Sequence, residues 1–140
     1  MGRVLALVAG GLFVCIALLT LAVFLTRDED NLQADNLLAE RFTLEVARGG
    51  EIDLHRIAPF EWDNVLLVAA GTSREQISRR LGREWTGIDT VDGGDLLIFR
   101  RGDEVVRFAD YRGLGRFEGF ERPFDELPPV LHAENLVITR

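Results

Sequence analysis

Phe60-Glu61-Trp62-Asp63 places two aromatic rings and two carboxylates in one short stretch of chain. Carboxylates beside an aromatic wall suit a cation or a small ligand, because oxygens hold the charge while a flat apolar face excludes water. The same residues serve a fold equally well, with Phe60 and Trp62 filling a core and Glu61 and Asp63 facing water or capping the turn after Pro59. A second set, Arg107, Tyr111, Arg112, Arg116, Phe117, Phe120, Arg122 and Phe124, interleaves cations with aromatics. In a basic protein this pattern suggests stacking on nucleic acid. Here Asp110, Glu118 and Glu121 nearly cancel the charge, and no nucleic-acid partner is expected. Tyr111, Arg112, Phe117 and Phe120 are read instead as an aromatic patch for a partner protein or a membrane surface. The plainer alternative makes the rings core and pairs the arginines with nearby acids. Phe60, Trp62 and Asp63 complete the candidate binding residues.

The remaining chemistry is sparse. Asp89, Asp92 and Asp95 recur every third residue around Gly93-Gly94, but a calcium loop alternates its acids and closes with a distant Glu, so a polar turn is expected. Arg101-Gly102-Asp103 is a tight turn between apolar strands. His55 and His132 are far apart in the chain, without zinc-site spacing between them. Ser73 and Ser78 are the only serines, and no Gly-x-Ser-x-Gly elbow surrounds either. A glycosidase-type carboxylate pair is defined by a cleft that sequence does not show. No catalytic residue, metal ligand or cofactor is assigned, and the expected chain is not an enzyme.

Charge and hydropathy divide the chain. Val4 to Leu25 is uncharged and, at about 1.5 Å per residue, makes a helix of about 33 Å, enough for a hydrocarbon core of about 30 Å. Arg3 and the amino terminus precede it, whereas Asp28-Glu29-Asp30 follows Arg27, which favours the amino terminus inside and the rest outside. Thr20-Leu21-Ala22 offers a cleavage site and Cys15 a lipidation site, but the apolar run is long for a signal core and Val14 is a poor residue before a lipidated cysteine. Residues 1–27 are therefore expected to be a signal anchor in the cell membrane, single-pass, and 28–140 an extracytoplasmic domain. That domain carries 14 arginines, no lysine and 23 acidic residues, a net charge of −9. Such a surface repels nucleic acid and anionic lipid. The single cysteine lies in the apolar run, so the domain forms no disulfide and depends on packing.

Periodicity supplies the elements that hold these residues. Asn31 to Ala47 reads as a helix, with Leu37, Leu38, Ala39 and Phe42 at helical spacing and Asn31 or Asp30 as cap, although its Thr43 to Val46 end also suits a strand, and Gly49-Gly50 ends it. Glu51 to Leu54 alternates as a strand, and Asn64 to Ala70 suits a buried central strand. Ser73 and Gln76 form a capping box for a helix that Gly82 stops, with Ile77 and Leu81 on one face. Hairpins follow, turning at Asp92-Gly93 and at Arg101-Gly102-Asp103 between Leu96–Phe99 and Val105–Phe108. Gly113, Gly115 and Gly119 loosen the chain before Pro123, Pro128 and Pro129, and Glu134–Thr139 reads as a last strand or an edge pairing. The expected class is α+β, with an N-terminal transmembrane helix and then about two helices on a mostly antiparallel sheet of four to five strands.

The order Phe60-Glu61-Trp62-Asp63, apolar strand, Thr72-Ser73, Leu81-Gly82, Asp92-Gly93, Leu96–Phe99 and Val105-Val106 resembles a family of small bacterial membrane-anchored proteins and lipoproteins of uncharacterised function. The resemblance spans roughly Glu51 to Asp110 and is structural, carrying no catalytic residue across. Thr72, Glu75, Leu81 and Gly82 are also distantly similar to the helix of small lipoproteins of outer-membrane assembly, which implies a scaffold role. The expected function is a non-enzymatic, membrane-tethered interaction module with an envelope protein partner. The alternative is an extracytoplasmic sensor of a small ligand or cation around Trp62, Asp63 and the Asp89 to Asp95 turn.

Overall fold

The computed structural model describes residues 32–88 and 93–140. The apolar run from Val4 to Leu25 with its Cys15, and the turn positions Asp89 and Asp92, lie outside the described residues. No helix among the described residues is long and apolar enough to cross a membrane.

The chain enters helix α1 (Asn36–Arg48), whose first turn is capped by the Asp35 carboxylate accepting from the Leu38 N–H. The helix therefore starts later than the spacing alone suggests. Its buried positions Leu38, Phe42 and Val46 recur every fourth residue and define one inward stripe. Leu37, expected on that stripe, lies outside it and is 56% exposed. Gly49 ends the helix at φ +77°, and strand β1 (Gly50–Asp53) follows. Asp53 then caps a single turn, α2 (Leu54–Ile57), so Leu54 belongs to a helix rather than to the expected strand.

Strands β2 (Asn64–Val68), β3 (Asp95–Arg101), β4 (Glu104–Tyr111) and β6 (Phe124–Leu127) form one antiparallel sheet in the order β4-β3-β2-β6. Between β2 and β3 lies helix α3 (Arg74–Leu81), with the reciprocal Ser73–Gln76 capping box and Gly82 in the left-handed conformation. Both expectations for that helix are met, since cap and stop are written locally. Strands β5 (Arg116–Phe117), β7 (Val130–Glu134) and β8 (Val137–Thr139) join β1 in a second sheet, ordered β1-β7-β8-β5. The β5–β8 pairing is parallel and the others are antiparallel.

The fold is thus α+β, but with two four-stranded sheets in place of one. The expected single strand Glu134–Thr139 is broken by a turn in which Asn135 and Leu136 both take positive φ, making β7 and β8 a hairpin. Strands β5 and β6 arise within the glycine- and proline-rich stretch read as loosened chain. They are too short to show a period, and their pairing partners are distant in sequence.

The strand period sorts the first sheet into two buried faces. Val65, Leu67, Leu97, Phe99, Ala109, Tyr111 and Leu127 join α1, Ile52, Leu131, Ala133, Ile138 and Phe117 in the main core. Their opposite neighbours Leu66, Val68, Leu96, Ile98 and Phe108 are equally buried, and on that side Trp85 meets Phe108 edge-on at 5.0 Å. The Trp85 indole donates to the Ile88 carbonyl, and Arg74 donates to the Trp85 carbonyl, which fastens the segment after α3 in place. Residues Gln33–Arg140 form one compact unit.

Candidate functional site

Among the described residues the large apolar side chains left exposed are Leu37 and Leu44 on the outward side of α1, Leu114 on the loop beside it, and Leu136 in the β7–β8 turn. Leu37 and Leu44 are 56% and 58% exposed and stand seven residues apart, almost in line on a helix of 3.6 residues per turn. Glu40 and Arg41, both exposed, flank that line on opposite sides. On the Arg41 side, α1 and α2 leave a groove. One hollow of about 230 Å³ runs past Leu37, Arg41, Ile57 and Phe60. A second of about 330 Å³ runs past Arg41, Leu44, Arg56 and Ile57. Arg41 and Ile57 are common to both.

The charges around this groove are mostly matched. Glu45 accepts from Arg48 and from Arg56, each at 2.9 Å. Arg107 pairs with Asp35 at 3.0 Å and lies over the Phe60 ring at 4.7 Å from its centroid. Partial burial would raise the Asp35 carboxyl, but the Leu38 N–H and the Arg107 and Arg41 guanidiniums outweigh it and hold it below its ordinary value. Arg41 donates only to the Ile57 carbonyl, at 3.4 Å, and neither it nor Glu40 forms an ion pair among the described residues.

On the other flank of α1, Gly113 packs so closely on Thr43 that a side chain there would collide with its hydroxyl. A side chain at Gly115 would collide with the Leu136 carbonyl and press on Val46. Between them Leu114 is held 57% exposed, its carbonyl accepting the Tyr111 hydroxyl. Two half-exposed leucines thus lie on α1 and a third on the loop beside it.

The residues expected at the site fall into two groups. Phe60 and Trp62 pack against Phe99 at 5.4 Å each, half-buried at the margin of the core. The Trp62 indole donates to the Ala58 carbonyl and stacks on His55 at 4.0 Å. Asp63 accepts from the Gly102 N–H and from Asn64, while Glu61 pairs with Arg101, so both carboxylates hold the tip of the β3–β4 hairpin. Arg101-Gly102-Asp103 is that tip, as its spacing implies, with Gly102 at φ +59°.

The second group centres on Phe42. Tyr111 meets it edge-on at 4.9 Å, Phe117 stacks at 6.0 Å, and Phe120 meets Phe117 at 5.7 Å. Tyr111 and Phe117 are buried core residues and Phe120 is half-buried beneath the Arg140 guanidinium. Burial, with the Asp95 carboxylate adding to it, pushes the Tyr111 phenol up to about 12. Arg112 pairs with Asp110 at 2.6 Å, and Arg116 with Glu118. Asp95 accepts from the Ala70 N–H, His132 stands opposite Glu51 in the second sheet, and no group of three His, Cys, Asp or Glu converges among the described residues.

Leu37, Glu40, Arg41, Leu44, Arg56 and Leu114 were not among the expected residues. A helical wheel of α1 carries part of the signal, because Leu38, Phe42 and Val46 already complete an inward stripe and leave the Leu37 and Leu44 pair facing out. Arg56 and Leu114 had no local signal, since only the tertiary fold brings them to α1. Comparison with protein-family models, with curated proteins and with solved structures finds no match for this chain.

Proposed function

We propose that this protein is a non-enzymatic interaction module, tethered to the cell membrane by Val4 to Leu25, whose extracytoplasmic domain docks through the outward side of α1 and the groove beside it. The observation that carries the reading is the placement of Leu37, Leu44 and Leu114, each more than half exposed and grouped around one helix. A solitary exposed leucine needs no explanation, but two on one line of a helix, with a third on the adjoining loop and charges between, are how an interface begins. The opposing consideration is size. Three leucines make a small patch, and tethering to a surface supports such a contact by raising the local concentration of partners.

Four of the polar side chains that a sensor or an enzyme would draw on are engaged in holding the fold. Asp63 and Glu61 fasten a hairpin, Asp95 holds the chain after β2, and Ser73 caps α3.

The test uses the full chain in its native membrane, with a photoreactive residue at Leu37, Leu44 or Leu114 and, as a control, at Glu75 on the exposed side of α3. Light should give covalent protein adducts from the three positions around α1 and not from Glu75. Adducts no more frequent around α1 than at Glu75 would remove the proposal.

A further inference from the structure

We infer that the partner of this face is a second copy of the same chain, joined by parallel pairing of α1 about a two-fold axis along the helix; this rests on the α1 side being the docking surface. The face is self-complementary in that arrangement. Leu37 and Leu44, a heptad apart, meet their own counterparts, as equivalent positions of a parallel helix pair do. Rotation about an axis along the helices brings the Glu40 flank of each copy against the Arg41 flank of the other. The result is two symmetric Glu40–Arg41 pairs, from the two charges on this face that form no ion pair among the described residues.

The same rotation sets the Gly113–Leu114 loop of one copy, packed on the Thr43 side of α1, opposite the groove on the Arg41 side of the other. An exposed leucine thus faces a hollow of about 330 Å³ bordered by Leu44 and Ile57. An antiparallel pair would do the reverse. It would face Glu40 with Glu40 and Arg41 with Arg41, and the charges argue against it. A contact one helix wide and about 20 Å long, at 1.5 Å per residue, is small for a stable dimer in free solution. Pairing is therefore expected on a shared membrane and weak in dilute detergent.

The experiment places cysteines in the full chain, in a background with Cys15→Ser, and oxidises intact membranes. Leu37→Cys and Leu44→Cys should each cross-link to themselves, giving a species of twice the 15.7 kDa of one chain. Co-expressed, differently tagged Leu37→Cys and Leu44→Cys chains should give little mixed product. In the Leu44→Cys background, Glu40→Arg or Arg41→Glu alone should lower the yield about tenfold through like-charge contact, and the double exchange E40R/R41E should restore it. Predominant mixed product, joining position 37 of one copy to position 44 of the other, or a double exchange no better than either single change, would overturn the parallel pair. So would photoadducts from Leu44 that contain only other proteins, an outcome that leaves the docking surface intact and replaces its occupant. Absence of any adduct from this face would instead remove both proposals.

Discussion

Tyr111 shows at the level of one residue how this core is assembled. Its ring closes on Phe42 and Phe117 while its hydroxyl reaches the Leu114 carbonyl, so the same side chain seals the interior and secures an exposed loop. Ionising the phenol would place a charge among these rings, and burial with the Asp95 carboxylate raises it from 10 to about 12. As the only tyrosine in the chain, it can be followed directly by ultraviolet absorbance. The native titration should centre near pH 12 and move to about 10 in denaturant. Because the folded value is the higher one, the stability involved is fully present below about pH 10 and lost as pH rises through about 12. A native midpoint near 10 would mean that Tyr111 is not enclosed as described.

Among the elements, α1 carries both the core stripe and the open face, and its start depends on Asp35. That carboxylate caps Leu38, pairs with Arg107 and sits where the chain meets β4, the Asp35 N–H donating to the Phe108 carbonyl at 2.8 Å. Asp35→Ala should cost about 1 kcal/mol at neutral pH, the usual worth of an N-cap. The native carboxyl is held below its ordinary value, so this contribution is present above about pH 4 and fades as pH falls through the lowered value. Denaturant melts of the two chains should therefore differ at pH 7 and converge in acid; a gap that persists at low pH would assign the loss to packing instead. The cap was not legible in the sequence, which offers Asp30, Asn31 and Asp35 close together. By contrast Ser73 with Gln76, Gly82 and the apolar run of β2 announced their elements, because each signal is local and has little competition. Strands β5 and β6 gave none, since a two-residue strand and one bounded by prolines exist only through their partners.

At the scale of the whole molecule, the proposed placement of the domain outside the cytoplasm rests on the apolar amino-terminal run and the charges that flank it. A phosphatase reporter that is active only outside the cytoplasm, fused through a flexible linker after Arg140, should be active, and a reporter that fluoresces only in the cytoplasm should be dark. The opposite pair of results would reverse the proposed topology. Of the aromatic residues that looked in sequence like a binding patch, Tyr111 and Phe117 lie in the core and Phe120 at its margin, whereas Leu37, read with the core stripe, stands outside it. Strands at Glu51 and at Glu134–Thr139 were legible, but not that they join in a second sheet, and it is that sheet which encloses Phe117 and Tyr111.

The hairpin tip at Gly102-Asp103 has a further consequence. It is short, charged and exposed, the kind of place where chains usually accept inserted residues. Here Glu61 grips Arg101 and Asp63 grips the Gly102 amide, so the tip is stitched to the segment that leads into β2. Lengthening it would strain both ends of that stitch and, through it, the central pair of strands. Evolution and protein engineers alike have less freedom at this tip than its exposure suggests.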